Sequence, residues 1–298
     1  MTYSIIARDP ATGELGVAVQ SHWFSVGPIV PWARPGVGAV ATQANVEVAY
    51  GPRLLDLLAQ GAEPRAALEG LLAEDPGAET RQVAVVDARG RAAAHTGRHC
   101  IQYAGHVVGD GLSCQANIMA SERVWPEMEA AFNSASGRPL AERLLAALEA
   151  AERAGGDLRG RQSSAILVVP EQGEPWRSEV SLRVEDHPEP LQELRRVMDV
   201  HAAYRRADQA DALVAEGRHG EAAELYREAS ELDPGNHELR FWRGLGAAEV
   251  GDYELALSEV RAAIAAHPPW RELLERLAPE VAPSAAAVRE RLDAEARP

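Results

Sequence analysis

The chain opens with MTYSIIARDPATGELGVAV, residues 1–19, in which two apolar runs enclose a short polar segment. Residues 3–7 and 15–19 are rich in β-branched and other apolar side chains, as is typical of strands. Between them, residues 9–13 read Asp-Pro-Ala-Thr-Gly, which is turn chemistry. The stretch therefore predicts a β-hairpin that begins at the N-terminus itself.

Working outward from this hairpin, strands and helices alternate in groups. Apolar runs bounded by turn residues predict further strands at 37–42, 83–86, 91–94, 101–108, 112–116, 164–169 and 180–184. Apolar residues at helical spacing predict two short helices joined at 61–64, then helices at 120–133 and 139–153. The order is strands, two helices, strands, two helices, strands. We expect an α+β fold of two stacked sheets with helices on the outer faces, rather than a parallel βαβ sheet.

The last third of the chain is helical and contains an internal repeat. A shift of 34 residues superposes Gly217 on Gly251 and Pro234 on Pro268, and it also aligns alanines 222 with 256 and 229 with 263. This is the period of tetratricopeptide repeats, whose units here are 203–236 and 237–270. The sequence therefore predicts two domains, a mixed one at 1–207 and an all-α tetratricopeptide-like one at 208–298.

Composition excludes several classes of function. Lys and Arg number 30 and Asp and Glu 45, so the net charge is −15, and we expect no nucleic-acid partner because phosphates require a basic surface. Apolar stretches are too short to span a membrane, and residues 1–9 do not resemble a secretory signal, so we expect a cytoplasmic protein without membrane contact. Two cysteines are too few for a disulfide framework.

Cofactor and metal motifs are also missing from the sequence. There is no phosphate-binding loop, no H-E-x-x-H and no C-x-x-C, and we expect no cofactor. Residues 36–41 match G-x-G-x-x-A, but strand-forming residues follow where a dinucleotide site needs a helix. His95, His99 and Cys100 lack regular spacing, so we interpret the histidines as solvated or core residues and predict no metal site.

Thr2 is the remaining candidate for chemistry. Methionine aminopeptidases remove an initiator methionine that precedes a small residue, which would leave Thr2 at the terminus. A terminal threonine carries a hydroxyl nucleophile and an α-amine that can accept its proton. The reference pKa of an α-amine, roughly 7.7–8.0, suits a base near neutral pH. The alternative is an ordinary strand residue behind a processed methionine.

Several motifs resemble those of one bacterial family. They are residues 1–9, residues 15–19, residues 32–43 (WARPGVGAVATQ), residues 95–97 (HTG) and residues 159–165 (RGRQSSA). On these motifs the chain, from residue 1 to about 207, resembles the family filed as domain of unknown function 1028, which is grouped with the N-terminal nucleophile (Ntn) hydrolases.

The resemblance implies a four-layer αββα sandwich with Thr2 as the nucleophile. By analogy, Ser21 and Arg34 hold the amine and tune its pKa. The same analogy makes Gln43, Asn117 and Ser163 candidates for the substrate pocket and for oxyanion contacts. Two features depart from the pattern. The chain has no lysine, which proteasome-like hydrolases place beside the threonine. Residue 116 is alanine where family members usually carry glycine.

Two functional hypotheses follow. In the first, the protein is an amidohydrolase that cleaves a small amide or acylamino compound through Thr2. In the second, the sandwich is catalytically inactive, and the tetratricopeptide-like repeats bind a protein partner or mediate self-association into a homo-oligomer.

Overall fold

The structure is a computed structural model that describes residues 2–295, and the chain divides into two compact units between Arg195 and Arg196. The first unit contains ten strands: β1 (Thr2–Arg8), β2 (Leu15–Ser21), β3 (Pro31–Arg34), β4 (Gly38–Ala44), β5 (Arg81–Asp87), β6 (Ala92–Thr96), β7 (Gly105–Gly109), β8 (Leu112–Asn117), β9 (Ser163–Val169) and β10 (Val180–Val184). Its helices are α1 (Tyr50–Ala59), α2 (Pro64–Glu74), α3 (Val124–Ser134) and α4 (Leu140–Arg153), with a 3-10 turn at Ala78–Thr80.

The strands form two antiparallel sheets. The larger sheet has the order β10-β9-β2-β1-β8-β7, and the smaller sheet has the order β3-β4-β5-β6. β1 is central in the larger sheet, where Thr2 pairs with Ser21 of β2 on one side and with Asn117 of β8 on the other. Ser21 in turn pairs with Ser163 of β9. The start of β1 is thus flanked on both sides by strand ends.

The two sheets pack against each other through alternate residues of their strands. Ile6 and Val17 of the larger sheet contact Ala41 and Ala84 of the smaller sheet in one buried cluster. Because successive strand residues point to opposite faces, Thr2 and the other even-numbered residues of β1 face this inter-sheet space.

Helices cover the other face of each sheet. Leu54 and Leu68 of α1 and α2 pack on Val40 and Val83 of the smaller sheet, while α3 and α4 lie against the larger sheet. Gly16 of β2 allows α4 to pack closely on the larger sheet, since a Cβ there would lie 2.6 Å from a Leu144 methyl carbon.

The second unit is helical. Helix α5 (Pro190–Ala215) runs from the first unit into it, and α6 (His219–Leu232), α7 (His237–Glu249), α8 (Tyr253–Ala266), α9 (Trp270–Arg276) and α10 (Ala285–Glu295) follow. The bounds of α8 are those of α6 shifted by 34 residues. Gly217 and Gly251 take the left-handed backbone conformation, with φ of 75° and 84°, in the turns before α6 and α8.

The structure confirms the mixed α+β class with antiparallel sheets and the helical C-terminal region. Two local predictions are wrong: residues 31–34 form an edge strand that the sequence analysis missed, and residues 101–104, predicted as strand, lie outside any strand. Pro31 has no amide hydrogen to donate to a neighbouring strand, and a proline argues against a strand in the sequence pattern, so this edge strand was not predicted. Among the described helices, none combines the length and apolarity needed to cross a bilayer.

Candidate active site

Thr2 is the first described residue of β1 and lies at the end of the inter-sheet space. Its side chain is largely buried, with 6% of the residue exposed. Its Oγ1 lies 3.0 Å from Oγ of Ser21, so the two hydroxyls share a hydrogen bond. The predicted proximity of Ser21 to Thr2 is therefore present in the structure.

The carbonyl of Thr2 is held by two side-chain amides. Nε2 of Gln43 donates to it from the smaller sheet at 3.3 Å, and Nδ2 of Asn117 donates from β8 at 3.4 Å. Both amides also donate to Oε1 of Gln82, at 2.7 Å and 2.9 Å respectively. Gln82 is the residue that orients both of these amides.

Gln82 is itself fully buried and fully engaged. Its Nε2 approaches three acceptors, Oγ1 of Thr96 at 2.9 Å, the carbonyl of Ala116 at 2.9 Å and the carbonyl of Gly105 at 3.1 Å. These contacts fix which end of the amide faces Gln43 and Asn117. A buried network whose members satisfy one another specifies one arrangement of its side chains.

The network continues along β1 and β8. The hydroxyl of Ser4 donates to Oε1 of Gln43 at 2.6 Å and accepts from Nε2 of Gln115 at 2.6 Å. Ser113 donates to Oε1 of Gln115 at 3.0 Å. The inter-sheet space is therefore polar at the Thr2 end and apolar towards Ile6, which places the chemistry-bearing groups at one end of the sandwich.

Ser163, a predicted contact of the substrate pocket or the oxyanion, lies on the strand next to Ser21, and its side chain bonds a loop. Its hydroxyl donates to the carbonyl of Trp23 at 2.6 Å and accepts from the amide of Val26 at 3.1 Å. Gln43, Asn117 and Ser163 are each at most 1% exposed. In this arrangement they position Thr2 and the neighbouring loop, and a ligand would not reach them without displacing these bonds.

Three non-glycine residues near this end adopt the left-handed conformation. Ser25, Ala44 and Ile118 have φ of 56°, 70° and 57°. Ala44 and Ile118 directly follow Gln43 and Asn117, so both residues that bind the Thr2 carbonyl precede a strained position. Such conformations cost about 1–3 kcal/mol each and cluster at functional sites, and for a β-branched residue such as isoleucine they are rare.

On the opposite face of β1, Tyr3 is hydrogen-bonded to the first of several interacting charged groups. Its hydroxyl donates to Glu152 of α4 at 2.7 Å, and Arg161 pairs with both Glu152 and Glu189. Burial, followed by the neighbouring Glu152 carboxylate, raises the pKa of Tyr3 well above its usual value. These bonds anchor the residue next to Thr2 to the helix layer.

Arg34 lies elsewhere, and the expectation that it holds the amine is corrected. It ends β3, where it pairs with Gly38, and its guanidinium donates to Asp56 of α1 at 2.8 Å. Gly38 and Gln43 are at opposite ends of β4. Since each strand residue advances about 3.3 Å, Arg34 is too distant to reach Thr2.

His95, one of the residues considered for a metal site, and the nearby His106 both make structural contacts. His95 bonds the carbonyl of Ala78 at 2.9 Å, and Nδ1 of His106 lies 2.8 Å from Oγ1 of Thr96. Burial, with a smaller contribution from His95, lowers the pKa of His106. Among residues 2–295, no group of three or more His, Cys, Asp and Glu side chains is arranged to hold a metal ion.

Gln82, Ser4 and Gln115 were not predicted as parts of the site. Each lies within a predicted strand or next to one, and a polar residue in an otherwise apolar strand was the available signal. Alternation of polar and apolar residues along a strand does not show which strand of the other sheet lies opposite. The contact between Gln82 and Asn117 therefore became apparent only in the folded structure.

Fold and site together define a class of α+β proteins in which two antiparallel sheets enclose a buried polar network around a threonine at the start of the central strand. Comparison with known families narrows this class. The chain belongs to the family of unknown function DUF1028, whose sequence model matches residues 2–194.

One solved structure supports the same assignment. The crystal structure of a Silicibacter pomeroyi protein, described by the same family model, is similar to this chain with a TM-score of 0.60 and 34% sequence identity. The similarity covers 66% of this chain and 87% of that chain. No curated protein matches the sequence.

Proposed function

We propose that the first unit is an Ntn-type amidohydrolase in which Thr2, freed by removal of Met1, is the nucleophile. The single observation that carries this proposal is the environment of Thr2, a hydroxyl 3.0 Å from Ser21 at the first position of the central strand. Two stacked sheets between helix pairs are consistent with the αββα sandwich of Ntn hydrolases. The substrate is a small amide or acylamino compound.

The proposed reaction has two steps. Oγ1 of Thr2 attacks the amide carbonyl while the α-amine of the same residue takes the hydroxyl proton, and the leaving nitrogen receives that proton as the C–N bond breaks. An ester of Thr2 remains. Water then loses a proton to the α-amine and attacks the ester, and the proton returns to Oγ1 as the acid departs. No group outside Thr2 has to act as the base.

The surrounding residues have positioning roles in this mechanism. Ser21 orients the hydroxyl of Thr2, and the amides of Gln43 and Asn117 fix the peptide that follows the reactive amine. Because these amides donate to the carbonyl of Thr2 itself, they hold the backbone of the nucleophile and do not contact the substrate. The chain contains no lysine, so in this mechanism the α-amine of Thr2 is the base without a neighbouring lysine.

The alternative function is a scaffold whose helical unit binds a protein. The observation in its favour is the repeated helix pair, α6 and α8 at an offset of 34 residues, each preceded by a left-handed glycine. Stacked tetratricopeptide-like pairs provide concave surfaces for peptides or for a second copy. The two functions are compatible, since partner binding by the repeats requires no chemistry.

The test compares hydrolysis of simple amides by the wild-type protein, Thr2→Ser and Thr2→Ala, with circular dichroism to confirm folding. We expect Thr2→Ser to retain measurable activity because it keeps both the hydroxyl and the amine. Thr2→Ala should lose activity to the background rate. Equal hydrolysis by the wild type and Thr2→Ala would refute the proposal.

A further inference from the structure

Exposed large apolar side chains are concentrated near the N-terminal end of β1, where Thr2 lies. Between residues 2 and 195, eight large apolar side chains are exposed to solvent, and five of them follow or contact the strand ends that flank Thr2. These five, the apolar collar, are 43% to 68% exposed and comprise Trp23, Phe24, Ile101, Tyr103 and Leu158.

Two of the five lie beyond β2. Ser21 pairs with Thr2, so Trp23 and Phe24 come two and three residues after the partner of the proposed nucleophile. Their backbone is anchored on both sides. The hydroxyl of Ser163 bonds the carbonyl of Trp23, and the amide of Ser25 donates to the carbonyl of Glu185 at 2.9 Å.

The other three surround the end of β8, on the opposite side of Thr2. The amide of Ile118, which follows the partner residue Asn117, donates to the carbonyl of Ile101 at 3.0 Å. The next amide, that of Met119, donates to the carbonyl of Tyr103 at 3.0 Å. Leu158 donates its own amide to the carbonyl of Ile118 at 3.3 Å.

One segment connects the two sides of the collar. Asp157, next to Leu158, accepts a hydrogen bond from the amide of His22 at 3.1 Å and forms a bridge with Met119. Residues beyond β2 and residues beyond β8 are therefore linked across the end of β1. Hydrogen bonds therefore fix the backbone that carries the five exposed side chains.

We infer that the apolar collar is the binding surface for an apolar group, preferably an aromatic one, carried by the amide substrate. This inference rests on the proposed function and narrows its substrate class. Exposed apolar area on a fixed backbone gains free energy when a ligand covers it, and aromatic side chains pair well with aromatic ligands. The collar follows the strand ends that flank Thr2, so an apolar group bound there would hold the amide to which it is attached next to the proposed nucleophile.

Charge agrees with this assignment. The chain has a net charge of −15, so its overall field does not attract anionic substrates. The residues that build the collar carry no charge, and Arg159 beside Leu158 is paired with Asp157 at 3.2 Å. Recognition by apolar contact therefore suits this surface better than recognition of a carboxylate.

Two amides that differ in their acyl group test the inference on the full-length protein. Acetamide has no large apolar group, and 3-phenylpropanamide carries a phenyl ring at the end of a short chain. For the wild type, we expect kcat/KM, measured by ammonia release, to be higher for 3-phenylpropanamide. Trp23→Ala should lower that kcat/KM by about tenfold or more, as is typical of the loss of a substantial apolar contact, and should change kcat/KM for acetamide by less than about twofold.

Trp176→Ala is the matched control. Trp176 is 80% exposed and lies in the β9–β10 turn. That turn follows Val169, which pairs with Leu15, and Leu15 pairs with Arg8 at the end of β1 far from Thr2. We expect wild-type kinetics for both amides in this variant. Equal losses in Trp23→Ala and Trp176→Ala would overturn the inference.

Binding measurements separate this inference from the proposed function. Calorimetric titration of Thr2→Ala with 3-phenylpropanamide removes chemistry from the readout, and the second substitution Trp23→Ala in that background should abolish the heat of binding. Binding without turnover by the wild type would mean that the proposed function fails while the collar assignment stands. Absence of binding to both the wild type and Thr2→Ala would refute the collar assignment. It would also be refuted if Trp23→Ala dissociated an oligomer, because a second copy would then be the occupant of the collar.

Discussion

Nδ2 of Asn117 donates a 2.9 Å hydrogen bond to Oε1 of Gln82, and this bond joins the two sheets beside the start of β1. The same oxygen accepts from Gln43. Because Gln43 and Asn117 also bind the carbonyl of Thr2, the position of the proposed nucleophile depends on one glutamine that does not touch it.

Replacing Gln82 with leucine should therefore destabilise the protein and loosen Thr2. The change leaves two buried amides without their common acceptor, and each unsatisfied buried group costs roughly 1–3 kcal/mol. We expect the free energy of unfolding to fall by about 2 kcal/mol or more. Urea denaturation measures it, with the exposed Gln60→Leu as control, for which a change within about 0.5 kcal/mol is expected. A Gln82→Leu protein as stable as the wild type would show that the network contributes little.

Two adjacent serines on β9 allow a matched comparison. Ser163 bonds the loop that carries Trp23, whereas the hydroxyl of Ser164 bonds the carbonyl of Pro190 at 3.0 Å. Ser163→Ala removes two hydrogen bonds, with Trp23 and Val26, and Ser164→Ala removes one, so both should lower stability, by about 1–2 kcal/mol for Ser164→Ala and by more for Ser163→Ala. Only Ser163→Ala should also reduce amide hydrolysis, because it releases the loop beside the site. Similar losses of activity in both variants would point to a general effect of stability instead.

Arg34→Ala should leave amide hydrolysis unchanged. The partner of Arg34 is Asp56, whose side chain is largely exposed, and exposed ion pairs contribute at most about 1 kcal/mol. Thermal unfolding of Arg34→Ala and Asp56→Ala should show equally small changes. A large loss of activity in Arg34→Ala alone would contradict its assigned position away from Thr2.

The raised pKa of Tyr3 predicts a loss of stability at alkaline pH. The folded state holds the phenol proton more tightly than the unfolded state, whose tyrosine titrates near 10.0. The unfolded state therefore releases its proton first, and the free energy of unfolding falls as pH rises above about 10. Tyr3→Phe removes this contribution. Denaturation at pH 8 and at pH 10.5 should show a smaller decrease for Tyr3→Phe than for the wild type, and parallel decreases would contradict the burial of the phenol.

Most of the fold could be predicted because local patterns and tertiary packing agree. The hairpin of β1 and β2 shows apolar runs around a clear turn, and α4 shows an apolar stripe at helical spacing. The failures have physical causes. The edge strand β3 is only four residues long and begins at proline. Residues 101–104 include three apolar residues around Gln102 but lie outside any sheet, and Ile101 belongs to the exposed collar.

The candidate site was less predictable than the fold. The family resemblance implied that Ser21 lies beside Thr2, and the local register of the hairpin pairs the two residues. The position of Arg34 could not be predicted from the sequence. It lies at the end of β3, and the direction in which β4 crosses the smaller sheet decides whether that end is near Thr2. Gln82 was missed for the same reason, because its partner Asn117 is 35 residues away and on another sheet.

The most direct test of the account is peptide mapping by mass spectrometry of the full-length protein after incubation with a β-lactone, an electrophile that acylates nucleophilic hydroxyls. If Thr2 is the nucleophile, the N-terminal peptide should begin with threonine and carry one acyl group on that residue, and no adduct should form in Thr2→Ala. An N-terminal peptide that still begins with methionine, without an adduct on Thr2, would contradict the central claim.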